Sequence, residues 1–426
     1  MIIKNVQIYT ENQTFMPGNI VIEGDRIKQI IPEAESASRQ DGEMDDTIID
    51  GHGAYAIPGL IDLHFHGCMG ADVCDGTEEA LQTIARYEAS VGVTAIAPAT
   101  MTLPVEELEQ ILRNAAAYKR KQEGQKRQRV CVKTGENGEG VEVTETAEVT
   151  ETAEITETAE ITEADLLGIN MEGPFISPVK KGAQDEKNII PCDVEIAKRF
   201  LTASEGLVKF IGIAPEESEK SVEFIEQMKD SVDISLAHTN ADYDTAMAAF
   251  QAGANHAVHL YNAMPPFTHR APGVVGAVAD SKHVMVEIIC DNVHIHPSVV
   301  RATFAMMGAG RMILISDSMR ATGMPDGTYT LGGLDVQVHG NHATLVDGGA
   351  LAGSVTNLMD CMRTVVKVMG IPLETAVACA TANPAKCLGV YDTYGSISEG
   401  KKADIVLLQE NLDLSMVIKD GSVICK

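Results

Sequence analysis

The chain has 426 residues, 45% of them hydrophobic, which suits one large α/β domain with a small companion better than a single ordinary core. Its formal net charge of −28 argues against nucleic acid and anionic membrane surfaces as partners, so a basic residue at a candidate site is informative about an anionic ligand. Nine irregularly spaced cysteines without a CxxC pair fit reduced thiols, Met1–Asn5 lacks the character of a signal peptide, and no uncharged run reaches transmembrane length; a cytoplasmic location is expected.

Residues 1–57 alternate in short strands, with Gly24-Asp25 as a turn, and residues 396–426 read the same way around Asp420-Gly421. The two ends are expected to build one small β-sandwich domain, with 328–347 as a candidate addition. Between them, over 58–395, apolar strands alternate with helical stretches. Strands are expected at Ile57–His64, Val93–Pro98, Leu166–Met171, Val208–Ala214, Val232–Ala237, His256–Leu260, Val284–Cys290 and Met312–Ile315. Helices are expected at Glu78–Ser90, Val105–Tyr118, Glu217–Lys229, Tyr243–Ala252 and Pro297–Met307. Eight such units suit a (β/α)8 barrel, with a doubly wound sheet as the alternative. Residues 119–164 break the rhythm. They begin basic and end in a repeat, VTETAE-VTETAE-ITETAE-ITE, within a stretch of ten glutamates from Glu136 to Glu163. That composition lacks the apolar content for a core and reads as a solvated low-complexity insertion.

Polar residues with metal-ligand chemistry end the apolar strands. His64-Phe65-His66 ends the first, and residues i and i+2 of a strand face one side, so both imidazoles can address one ion. Glu172 ends the third, ahead of Gly173-Pro174. His238 and His259 end the fifth and sixth, and Asp317 ends the eighth. Each alone has an ordinary structural explanation, as a turn residue, a core histidine or a helix cap. Together they converge, because the carboxyl ends of barrel strands share one mouth. Three His/Glu ligands with an open position are what a catalytic zinc-like ion requires.

This pattern resembles the amidohydrolase superfamily, in which HxH lies on strand one, His on strands five and six, and Asp on strand eight. No Lys lies within Gly212–Ala214, where some relatives carry a bridging Lys, and Glu172 replaces it. Four phrases look like the N-acetylglucosamine-6-phosphate deacetylase family: MEGPFISPVKKGAQ (171–184), HLYNAMPPFTHRAPG (259–273), DNVHIHP (291–297) and ISDSMRATG (315–323). The resemblance runs to Leu407 and skips 119–164. It implies hydrolysis of N-acetylglucosamine-6-phosphate to glucosamine-6-phosphate and acetate in amino sugar catabolism. It also implies a divalent ion (Zn, Fe, Co or Mn), one or two per subunit, in a homodimer. Glu172, His238 and His259 match the family's main metal site, and His64 and His66 a second site that only some members fill. Asp317 matches the general acid/base. Substrate contacts are implied for Ala183, Gln184, Asn262, Ala263, Arg270, Asp291, Asn292, Val293, His294, Leu351, Ala352 and Gly353. Some members carry His where this chain has Gln184, so either Gln184 or His294 is left to polarise the carbonyl. Another amidohydrolase, a deaminase or cyclic amidase, and a non-catalytic assembly protein of the superfamily are the alternatives.

Overall fold

A strand with its carboxyl end at a shared mouth has to be short, apolar and followed by a helix that covers it. The computed structural model describes residues 1–36, 47–134 and 163–425 and contains eight such units. The strands are Leu60–Asp62; Val93–Ile96 with Ala99–Thr100; Asp165–Leu166 with Ile169–Phe175; Val208–Ile213; Asp233–Leu236; His256–Ala257; Met285–Ile289; and Met312–Ile315. Each pairs in parallel with the next in sequence. The last returns to the first at the mouth: the Asp317 amide donates to the His64 carbonyl at 3.0 Å, and the His66 amide to that of Ser318 at 2.7 Å. A doubly wound sheet would place its first strand in the middle of the order, so the sequential order and this closure decide for the barrel.

Helix Glu78–Ser90 shows how the outer layer forms. Thr77 caps it by accepting from the Ala80 amide, and Ala80, Leu81, Ile84, Ala85, Glu88 and Ala89 are its buried positions, at helical spacing. The expected helix at Glu217–Lys229 is shorter, Ser221–Met228, because Pro215–Glu217 forms a separate 3₁₀ turn. The sixth strand stops at Ala257 rather than Leu260, since His259 takes a φ of +28° and the chain leaves the ladder.

Both chain ends enter one eight-stranded sheet. Ile2–Tyr9 pairs with Phe15–Glu23 on one side and with Ile48–Asp50 and Tyr55–Pro58 on the other. Ile405–Leu408 adds antiparallel to Tyr55–Pro58, which runs directly into the first barrel strand. The alternation seen in sequence buries Ile3, Ile8, Ile20, Ile22, Ile405 and Leu407 in one cluster. A buried ionic cluster ties this sheet to the barrel: Lys419 Nζ lies 2.9 Å from both Asp165, at the start of the third barrel strand, and Asp404, and Lys402 Nζ lies 2.8 Å from Asp165.

Two segments are placed differently from the sequence expectation. The 328–347 region forms a separate meander of Gly327–Leu331, Leu334–His339 and His342–Leu345, unpaired with the terminal sheet. Its Leu331, Val336, Val338 and Ala343 pack with Met101, Ala183, Met319 and Ala352 at the barrel mouth. The boundary of the 119–164 insertion also moves. Helix Val105–Thr134 continues through Lys119 without a break. Buried Gln122 bonds the Tyr118 hydroxyl, the Ala164 carbonyl and the Leu166 amide. Glu163 accepts from Gln82 and Tyr118. Both ends of the segment are therefore packed on the barrel, and the repeat itself, apart from Glu163, lies outside the described residues.

Candidate metal centre

The six side chains nominated at the strand ends meet at the mouth, and all are buried. Glu172 stands at the centre. Its Oε1 is 2.9 Å from His238 Nε2, 2.8 Å from His259 Nε2 and 3.4 Å from His64 Nε2. Its Oε2 is 3.4 Å from His66 Nε2, and Asp317 Oδ1 is 3.4 Å from the same nitrogen. His64, Glu172 and His259, and separately His64, His66 and Asp317, are close enough to share an ion.

Every one of the four imidazoles has its other nitrogen occupied. His64 Nδ1 bonds Glu287 at 2.7 Å, His66 Nδ1 the Ala99 carbonyl at 3.0 Å, His238 Nδ1 the Lys180 carbonyl at 2.8 Å, and His259 Nδ1 the Asn262 carbonyl at 3.1 Å. A carbonyl can only accept, so Nδ1 carries the proton and Nε2 turns its lone pair inward, the arrangement of a metal-ligating histidine. Buried His64 Nε2 has no hydrogen-bond partner, which water or another imidazole would ordinarily supply. Four inward lone pairs with two carboxylates fit a divalent ion of the Zn, Fe, Co or Mn group.

The electrostatics agree. Burial acts to raise the Glu172 carboxyl, but positive charge at the surrounding ring positions, that of His238 first, holds it well below the ordinary range, a role that a bound cation would take over. Asp317 is likewise pushed up by burial and brought down further by positive charge at the His66 and His64 ring positions. Both are therefore anionic.

Backbone shape aims these groups. His238, His259 and Asp317 have φ of +43°, +28° and +52°. Gly173 follows Glu172 at φ +98°, and a Cβ there would stand 2.1 Å from Thr102 Oγ1, so only glycine fits.

The remaining nominated residues fall into three groups. Gln184 is buried beside the cluster. Its Nε2 donates to Glu172 Oε2 at 2.7 Å, and its Oε1 accepts from the Thr102 amide at 2.7 Å. His294 is fixed through Nδ1 to Asp291 Oδ2 at 2.7 Å, while Asp291 Oδ1 accepts from the Val293 and His294 amides. Burial lowers the His294 imidazole, but the Asp291 bond and charge, with that of Asp317, raise it on balance. Asn262, Ala263, Val293 and Gly353 are half-buried, Ala183 and Ala352 buried, and Asn292 and Leu351 exposed. Arg270 is also exposed, with its Nη1 2.7 Å from His269 Nε2.

Sequence reasoning passed over Glu287, Asn170 and Asp62. Asp62 accepts from Ser316 Oγ and the His64 amide, tying strands one and eight. The available signal was a charged residue inside an apolar strand, Met285-Val286-Glu287-Ile288-Ile289.

Comparison with known proteins gives one consistent family. The amidohydrolase family model matches residues 55–424. N-acetylglucosamine-6-phosphate deacetylase of Bacillus subtilis (strain 168) is 33% identical, over 99% of this chain and 96% of that protein. N-acetylgalactosamine-6-phosphate deacetylase of Escherichia coli O157:H7 is 32% identical, over 86% of each chain. A mutant N-acetyl-D-glucosamine-6-phosphate deacetylase of Mycobacterium smegmatis, solved in complex with N-acetyl-D-glucosamine-6-phosphate, is similar in structure. Its TM-score is 0.82 at 28% identity, covering 100% of this chain and 99% of that one. The match spans most of the chain and includes every strand that carries a metal-type residue, and the chain belongs to the amidohydrolase family.

Proposed function

We propose that this enzyme hydrolyses N-acetylglucosamine-6-phosphate to glucosamine-6-phosphate and acetate, as a step of amino sugar breakdown. One observation carries the reading: four inward imidazole nitrogens, Glu172 and Asp317 meet at the mouth of a chain that aligns with relatives of that name over nearly its whole length. Glu172, His238 and His259 would hold the main ion, and His64 and His66 a second one, with Zn, Fe, Co or Mn all suited to these donors. When bound, a divalent ion lowers the pKa of a water toward about 7 and polarises an amide oxygen. Asp317 takes the proton of the attacking water and hands it to the departing amine. Being ionised, it is free to accept in the first step, which its burial favours, and its low proton affinity overall favours release to the amine in the second.

Both ends of the Gln184 amide are engaged, on Glu172 and on Thr102. Gln184 therefore orients the ligand carboxylate, and His294, with Nδ1 held by Asp291, polarises the acetyl oxygen through Nε2. Arg270 offers a planar, permanently charged donor to the sugar phosphate, and Asn262 and Ala263 are further substrate contacts. Asp291 to Val293, Leu351 to Gly353 and Ala183 contact the sugar. The working unit is a cytoplasmic homodimer. No helix among the described residues is long and apolar enough to cross a membrane.

A second reading has its own support, since one relative of nearly equal identity is named for the galactosamine epimer. The test is acetate release from both 6-phosphorylated N-acetylhexosamines by metal-loaded enzyme, beside N-acetylglucosamine. Preference for the galactosamine compound would move the assignment to that epimer.

A further inference from the structure

Glu287 is a fully buried carboxylate on an apolar barrel strand, two residues before Ile289, which belongs to the core cluster of Ile61, Leu63, Phe210 and Ile313. An ionised group there is costly unless each oxygen is well partnered. Two of its partners, His64 and the backbone of His259, belong to the metal cluster. Oε2 is 2.7 Å from His64 Nδ1 and accepts from the His259 amide at 3.2 Å. Oε1 is 2.8 Å from His256 Nε2, and Asn170 Nδ2 lies at 3.4 Å. The His259 amide belongs to a residue in left-handed backbone, and the carbonyl of Glu287 also accepts from the Leu260 amide at 2.9 Å, so both amides of this turn are anchored on Glu287. His64 has an accepting carboxylate on Nδ1 and no partner on buried Nε2.

We propose that Glu287 is a positioning residue that fixes the Nδ1–H tautomer and ring orientation of His64, and so sets the affinity of the ion shared by His64 and His66. The same oxygen steadies the His259 turn, which links that ion's site to the main one. The inference rests on the reading that His64 and His66 hold an ion. Carboxylates behind ligating histidines are worth about 10–100-fold in metal affinity.

The test is zinc titration of metal-stripped protein, by calorimetry and by metal analysis after desalting. Glu287→Met keeps the volume in an apolar surrounding and removes the acceptor. Glu287→Gln keeps an oxygen that can still accept from His64 Nδ1. The parent is expected to take two equivalents. Glu287→Met should weaken the second by about 10–100-fold, Glu287→Gln should recover most of that loss, and in a His64→Asn background Glu287→Met should have no further effect on it. Two equivalents of unchanged affinity in Glu287→Met overturn the proposal alone, as does an undiminished loss in the His64→Asn background. A parent that takes one equivalent overturns the two-ion reading and the proposal together. Should Glu287→Met not fold, ¹⁵N spectra of the zinc-loaded parent decide: His64 protonated on Nδ1 supports the assignment, and protonation on Nε2 contradicts it.

Discussion

His238, His259 and Asp317 share a left-handed backbone that ordinary residues adopt at a cost of about 1–3 kcal/mol each. The strand has to end and turn at once for the side chain to face the mouth. For Asp317 this makes a clean experiment available, because Asn tolerates the same backbone and matches the shape but cannot shuttle a proton. Asp317→Asn should retain the ions and lose about 10²–10⁴-fold in kcat; kcat beside metal content checks this, and near-normal turnover contradicts the role. Arg270 tests recognition instead. A charge-assisted bond is worth about 1.5–3 kcal/mol, so Arg270→Ala should cut the kcat/KM ratio of phosphorylated to unphosphorylated sugar by tens-fold. An unchanged ratio would place the phosphate elsewhere. At this scale, polar residues at the ends of apolar runs were legible because strand ends share a mouth. Glu287 was marked only as a charge within an apolar strand, and the side-chain partners that give it and Asp62 their roles, His64 and Ser316, lie on strands distant in sequence.

The strands and most helices could be read from apolar runs and their spacing, while the boundaries depended on tertiary contacts. His256–Ala257 is cut short by a turn that ligand placement demands, which no local propensity signals. The basic stretch after Tyr118 looks like the start of a linker, yet it continues a helix because Gln122 finds three buried partners. Two replacements separate the packed ends from the repeat. A flexible linker in place of 126–162 should leave kcat/KM and Tm near those of the parent, because long surface segments change loop entropy by only about 0.6 kcal/mol per doubling of length. A linker in place of 119–164 removes Gln122 and Glu163 as well and should lower stability by on the order of 2–4 kcal/mol, from several hydrogen bonds at about 0.5–1.5 kcal/mol each. Urea denaturation of both variants checks the difference. Equal stability would show that these contacts contribute nothing.

Across the whole molecule, the terminal sheet and the barrel meet through Lys419, which is 0% exposed and bonded to Asp165, Asp404 and Asp420. Strand patterning at both ends foretold a shared β element. The ionic clamp could not be foreseen, because its members come from positions 165 to 420 and look like ordinary surface residues. Lys419→Met leaves three carboxylates with Lys402 alone and should cost about 3–5 kcal/mol of stability, seen as a lower urea midpoint with metal content unchanged at low temperature; an unaltered midpoint would contradict the clamp.

The most direct test of the central claim is acetate release by metal-loaded enzyme from N-acetylglucosamine-6-phosphate, measured beside N-acetylglucosamine at equal concentration. Release from the phosphorylated sugar, strongly preferred over the free sugar and abolished by a chelator, is the predicted result. A fully metal-loaded preparation that releases no acetate from it would contradict the assignment.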